Sequence, residues 1–401
     1  MERKYLVLII ALFSQIAFGV SVLSYPPISG IFKQQFALTN AQSGFITSAF
    51  FLSYLLMQIS GGYLADKFGP ARSMLFSTFV MAGAPLIFVL GNSYAAAVAS
   101  RLIGGIAGGI LFPAEVRLLS HWFHINDLGR AMGIFGTGTG TSQVVASWIL
   151  PLLILGTNWR PPILFAVGLS FVAGILIILP VRWTAEGRNQ ENTRIASKVK
   201  IDLRGLFTRN MFALMLPNFA SVVIIYGIFA WTAQFLTSSF SISTSLAGSI
   251  VALIGVAAII GAYAGNMCNR LLGKRPTLAL SMVLSIIFTI LLGYSSSIIQ
   301  AAAWIFAIGF ASILYFAADF SLIPYAGKQG LAAAGMTFGV FNTLSNIGTF
   351  TAPVLFGYIL DVTGMNYQIG YITLAGIATL GLAGSILVRV DTMIAEEEKI
   401  S

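Results

Sequence analysis

Long uncharged apolar runs, each about as long as a bilayer is thick, follow one another along this chain, and short segments between them hold nearly all of its charge. A helix crossing the hydrocarbon core needs roughly 20 predominantly apolar residues. Soluble domains carry about a quarter of their residues charged, whereas only 9% of these 401 residues are. The solvent for most of this chain is therefore lipid. Backbone amides left unpaired in hydrocarbon are costly, so the runs must be helices or strands of a closed barrel. Their length, without alternation of polar and apolar positions, excludes the barrel.

The runs are read as spans at 5–28, 41–64, 72–91, 95–119, 131–155, 161–181, 210–236, 243–267, 276–294, 298–323, 331–356 and 367–388. The first follows Met1-Glu2-Arg3-Lys4, a basic start like that of a signal peptide. It is too long for one and lacks a small-residue cleavage site, so it is expected to stay as a helix. A single cysteine, Cys268, excludes an intramolecular disulfide and a cysteine metal site. Basic residues fall almost entirely on alternate loops. Placed inside are Arg3, Lys4, Lys67, Arg72, Arg130, a cluster from Arg182 to Arg209, Arg270, Lys274, Arg275, Lys328, Arg389 and Lys399; only Lys33 and Arg160 fall outside. By the positive-inside rule both termini are expected in the cytoplasm of a multi-pass inner-membrane protein. The +9 net charge is then a topology signal spread over short loops, and no nucleic-acid partner is expected.

The polar segment 182–209 divides the spans six and six, predicting bundles at 1–181 and 210–401 joined by a cytoplasmic linker. The halves repeat. At a shift of 204, Phe36 matches Phe240, Gly44 matches Gly248, Gly69 matches Gly273 and Gly105 matches Gly309. Phe112-Pro-Ala-Glu115-Val-Arg-Leu118 matches Phe316-Ala-Ala-Asp319-Phe-Ser-Leu322, so an acid inside the fourth span recurs inside the tenth. At a shift of 202, Gly133 matches Gly335 and Pro151 matches Pro353. The expected fold is an all-α membrane protein of twelve transmembrane helices in two pseudo-symmetric bundles, with a substrate path near the midplane between the repeats.

These features resemble the major facilitator superfamily across essentially the whole chain. Gly62-Tyr-Leu-Ala-Asp66-Lys67-Phe-Gly69-Pro-Ala-Arg72 is similar to the family's loop between spans two and three. A degenerate copy, Gly265-Asn-Met-Cys-Asn269-Arg270-Leu-Leu-Gly273-Lys274-Arg275, lies between spans eight and nine, with Asn269 in place of the acid. The resemblance implies that this loop latches the halves and that transport alternates access between the two sides. Glycine there permits a tight turn, and Asp66 can face helix N-termini. The plain alternative is an ordinary basic turn. Arg101-Leu-Ile-Gly-Gly105, Phe112-Pro113-Ala114, His121-Trp122-Phe123 and Leu128-Gly129-Arg130 are similar to the organic-anion and sugar-acid:proton symporters of the superfamily. The match departs at His124, at the inverted Gly129-Arg130 order, and in having no acid one or two turns beyond Arg101.

Charges inside the membrane each cost at least about 2.5 kcal/mol unless paired or hydrated, which makes Arg101, Glu115, Arg117 and Asp319 the leading candidates. Arg101 has the bidentate geometry for a carboxylate or phosphate in the cavity. Its structural alternative is to snorkel outward or to bond carbonyls of a neighbouring span. Glu115 lies roughly 21 Å along the helix from Arg101, too far to pair with it. Glu115 and Asp319 are expected to close the inner side through ion pairs with Arg130, Arg72, Lys328 and Arg270; proton carriage and a solvated helix end are the alternatives. Arg117 is expected to be an interface anchor or gate partner. Tyr25, Gln143, Tyr226, Trp231, Gln234, Tyr315, Asn342 and Asn346 are candidate cavity-lining donors or stacking surfaces, the alternative for each being helix packing. The glycine run Gly136-Thr-Gly-Thr-Gly140 is expected to permit close helix contact, or rocking, rather than phosphate binding; it lacks the strand and the Lys-Ser/Thr ending of a phosphate loop.

No constellation of nucleophile, base and orienter appears, so no enzyme is expected. The first functional reading is proton-coupled symport, or exchange, of a small organic anion by a monomer, with no cofactor and a proton as the coupling ion. The alternatives are proton-coupled drug or metabolite efflux and a sensor without flux.

Overall fold

The computed structural model describes residues 3–123, 125–154, 158–183, 207–323 and 334–389, with Gly156, Gly205 and Ala326. Most of the expected linker at 182–209, and both His124 and Lys328, lie outside the described residues. The chain divides into two compact units, 1–198 and 199–401.

In the first unit the order is α1 (Arg3–Val22), a 3-10 turn (Pro26–Ile28), α2 (Ser29–Gln35), α3 (Asn40–Phe68), α4 (Pro70–Gly91), α5 (Tyr94–Trp122), α6 (Ile125–Leu152) and α7 (Arg160–Trp183). In the second, α8 (Arg209–Phe240), α9 (Thr244–Leu272) and α10 (Lys274–Gly293) are unbroken. They are followed by α11 (Ile298–Leu314), α12 (Phe316–Leu322), α13 (Ala334–Ser345), α14 (Ile347–Val362) and α15 (Tyr367–Leu387). Among the described residues nine helices are long and apolar enough to cross a membrane, or ten with α3, which bends by 56°. The Gly-Thr run dilutes the hydropathy of α6, and a break at Tyr315 leaves α11 short. With these counted, and broken spans taken as single crossings, the helices are consistent with twelve crossings. Large apolar side chains such as Leu56, Leu90 and Tyr263 are exposed, a pattern that suits contact with lipid rather than water.

Two of the inter-helix turns repeat to the residue. Gly69 ends α3 at φ 90° and Gly273 ends α9 at φ 91°, a region that essentially only glycine adopts. Helix starts repeat as well: Thr39 caps α3 and Ser243 caps α9, while Ser93 caps α5 and Ser297 caps α11, each accepting a backbone N–H.

Packing repeats at the same shift. A methyl group on Gly105 of α5 would lie 2.1 Å from the Phe50 carbonyl oxygen of α3, and one on Gly309 of α11 would lie 2.6 Å from that of Ile254 in α9. A methyl group on Gly61 would lie 2.2 Å from the Gly109 carbonyl oxygen, and one on Gly265, its match, 2.3 Å from that of Leu314, one residue off the shift. Backbones in contact at glycine are how helices associate in lipid, where apolar burial offers no driving force.

Several expectations are corrected. The first span does not end at 28: the helix breaks at Ser24–Tyr25, because Pro26 and Pro27 have no N–H to continue it, and it resumes to Gln35. The span at 331–356 is two helices, parted at Asn346. The glycine run of α6 is not a contact stripe. Gly136 and Gly140 face open space, and only Gly138 packs closely, against Gln15 and Leu12.

Candidate functional site

The break in the first span exposes carbonyls that a continuous helix would have used. Pro26 stands where the amide donor to the Val22 carbonyl should be, and Pro27 where the donor to Leu23 should be. Arg101, only 6% exposed on α5, fills part of that gap. Its Nη1 donates to the Ser21 carbonyl at 2.9 Å and to the Val22 carbonyl at 3.2 Å, and Nη2 donates to the Ser24 hydroxyl at 3.4 Å. The Tyr25 ring lies 5.7 Å from the guanidinium, within cation–π range. Tyr25 is itself pinned, its hydroxyl 2.9 Å from that of Ser43 on α3. Nε is buried without a hydrogen-bond partner. A cation at the carboxyl end of α1 also opposes the negative end of the helix dipole.

Below Arg101 on α5 are the two other charged side chains. Glu115 and Arg117 are two positions apart, which on a helix sets them on opposite faces. Arg117 reaches the last turn of α3, where its Nη2 lies 2.6 Å from Asp66 Oδ1, both side chains roughly half exposed. Glu115 turns inward and is 0% exposed. The Ser14 hydroxyl of α1 is its polar neighbour, outside hydrogen-bond geometry, and neither carboxylate oxygen has a partner. Asp319, at the matching place in the second unit, is likewise 0% exposed with both carboxylate oxygens unpartnered. Four residues before it, the Tyr315 hydroxyl donates to Asn218 Oδ1 at 2.6 Å.

Among the described residues, which leave out Lys328, the ion pairs expected to close the inner side around these acids are not formed. Arg72, Arg130 and Arg270 are exposed while both carboxyl groups are fully buried, because Glu115 sits two turns inside the end of α5, on the packed face. Burial also excludes the solvated helix end. The ion pair that does form, Asp66–Arg117, has no copy at the matching positions of the second unit, where Asn269 and Ser321 stand in place of acid and base. Lys67 lies over the Tyr63 and Phe68 rings at 5.9 and 5.4 Å instead of joining that pair.

Other expected lining residues are in use within their own unit. Trp231 is buried, donates from Nε1 to the Pro353 carbonyl at 2.9 Å and stacks on Phe356. Asn346 Nδ2 donates to the carbonyl and to Oδ1 of Asn342 at 2.7 and 2.8 Å, spanning the break between α13 and α14. Gln143, Tyr226 and Gln234 are half-buried. Of the expected set, the structure brings together Arg101 with Tyr25, Asp66 with Arg117, and Asn342 with Asn346. Ser21, Ser24, Ser43 and Ser14 were not expected at a site. The proline pair inside an apolar run was the signal for the first three.

Comparison with known proteins adds to this geometry. The family model described as Major Facilitator Superfamily matches residues 7–353. A probable sulfoacetate transporter of Cupriavidus necator is 24% identical over 382 residues, 90% of this chain and 87% of that protein. A D-galactonate transporter of Escherichia coli is 24% identical over 430 residues, 97% of this chain and 96% of the relative. A voltage-gated purine nucleotide uniporter of Rattus norvegicus is also 24% identical, covering 94% and 88%. Among solved structures, a bacterial homologue of the human lysosomal transporter Spinster, inward-facing and occupied, superposes with a TM-score of 0.75 at 16% identity. The match covers 96% of this chain and 94% of that one.

Proposed function

This chain belongs to the Major Facilitator Superfamily, and from that premise we propose that it moves a small organic anion across the bilayer by alternating access, in symport with protons. The observation that carries the anion is Arg101. It is a buried cation whose partners are two carbonyls, a hydroxyl and an aromatic ring, with no carboxylate to cancel its charge and with Nε–H still to offer. A charge held in a membrane at such cost marks a ligand pathway. Sugar acids and small sulfonates are the class to try first, since those are what the names of similar proteins specify. Glu115 and Asp319 are the proposed proton carriers, as buried acids with no competing donor. The protein is proposed to lie in the cytoplasmic membrane as a monomer with both termini inside, the orientation being supported by the distribution of basic residues.

Reconstituted vesicles test this. An anion gradient should drive proton influx; Arg101→Ala should abolish it, and Arg117→Ala should leave it within about twofold. Anion uptake unchanged in Arg101→Ala would remove Arg101 from the pathway. A second reading, uniport driven by membrane potential, is favoured by the similarity to the nucleotide uniporter and by the absence of any acidic residue between Arg3 and Gln35. Following lumenal pH during anion uptake at clamped potential separates the two, because only symport carries protons with the anion.

A further inference from the structure

We propose that Arg101 is the positioning residue of the break in the first span: its Nη groups hold the orphaned end of α1, and α5 thereby sets where α2 begins. The assignment rests on the hydrogen bonds and on an internal control. At the shift of 204, Arg101 corresponds to Ile305 of α11, a fully buried apolar residue. The segment from Tyr25 to Pro27 corresponds to Phe229-Ala230-Trp231, which runs through α8 without interruption. The second unit thus has neither the break nor the arginine. Pro217 shows that a single proline in α8 does not part the helix, so the 3-10 turn at the Pro26-Pro27 pair is a local feature of the first unit.

Breaks elsewhere are served differently. At the one in the eleventh span, Asn346 reaches back four residues to the Asn342 carbonyl, so the repair stays within its own span. At the first span the Ser24 hydroxyl reaches back to the Ser21 carbonyl at 2.8 Å. A second donor, however, comes from residue 101 on another crossing and bonds both that carbonyl and the one of Val22 that Pro26 orphans, so the repair ties two crossings together. The far side of the break is packed as one piece. Tyr25, Ile28 and Phe32 pack with Phe88 and Trp159 in one buried cluster, and Trp159 Nε1 donates to Gln35 Oε1 at 2.7 Å. A rigid outer piece, an orphaned inner end and a guanidinium between them make a joint whose angle depends on Arg101.

The test needs no substrate, so it stands or falls separately from the anion reading. In a Cys268→Ser background, Gly30→Cys places a thiol on α2 at a position where a β-carbon meets nothing within 4 Å. Its alkylation rate in substrate-free vesicles reports the placement of α2. Arg101→Met should change that rate at least fivefold, and Arg101→Lys, with a shorter reach and a single donor group, should return it part of the way. Adding Pro26→Ala with Pro27→Ala to Arg101→Met restores backbone N–H donors, and should bring thermal stability back to within a few degrees of wild type while transport stays at least tenfold slow. An unchanged alkylation rate in Arg101→Met overturns the proposal, as does a stability loss that the restored amides do not repair. Should Arg101→Met fail to fold, Arg101→Lys and Ser24→Ala carry the same comparison, and wild-type rates in both overturn it.

Discussion

At the scale of single residues, burial and partnering part charges that look alike in sequence. Asp66 and Arg117 form an exposed pair of the kind worth about 0.2–1 kcal/mol. Asp66→Asn should therefore shift the unfolding midpoint by no more than a few degrees in detergent. Glu115 and Asp319 are a different case. An unsatisfied buried polar group costs about 1–3 kcal/mol, so the fold carries these acids at a loss unless they act. Glu115→Leu should leave thermal stability equal or higher, while Glu115→Gln and Asp319→Asn should uncouple proton influx from anion uptake and leave anion exchange intact. Retained coupling with leakage between states would instead make the acids gate residues. None of this partnering is local in sequence: Glu115 and Arg117 differ only in the face of α5 they occupy.

At the scale of elements, the helices are set by backbone contacts that glycine allows. The approach of α5 to α3 at Gly105, and of α11 to α9 at Gly309, leaves no room for a β-carbon. Overpacking of this kind typically costs 1–3 kcal/mol. Gly105→Ala and Gly309→Ala should each lower the thermal midpoint measurably, while Gly140→Ala, in open space, should not. Gly69→Ala and Gly273→Ala should cost about 1–3 kcal/mol through backbone strain alone, read in the same assay. Of these positions, the repeat in sequence marked Gly69, Gly105, Gly273 and Gly309. It did not mark Gly140 as free, because a glycine run in an apolar helix reads alike whether it faces a neighbour or lipid.

At the scale of the whole molecule, the chain is a multi-pass member of a transporter family whose two units repeat their caps, turns and close contacts at one shift. Orientation is predicted from charge alone. In a Cys268→Ser background, a cysteine at Asn158, beside Arg160, should react with an impermeant reagent in intact cells, and one at Arg270 only after permeabilisation; the reverse result would invert the topology. The helical membrane fold, the family and the recurrence of an acid at Glu115 and Asp319 were legible in the sequence, because hydropathy and repetition are properties of contiguous residues. The broken first and eleventh spans and the idle glycines were not. Whether Arg101 would hold carbonyls or stand open, and whether Glu115 would find a base, depended on groups many residues away being carried to within 3 Å or kept from it. The sequence by itself determined that this chain must cross a bilayer as repeated helices, since lipid admits no other way to satisfy its backbone. Only the tertiary structure decided which of its few charges are satisfied, because in a low-dielectric interior that depends on which side chain reaches an orphaned carbonyl.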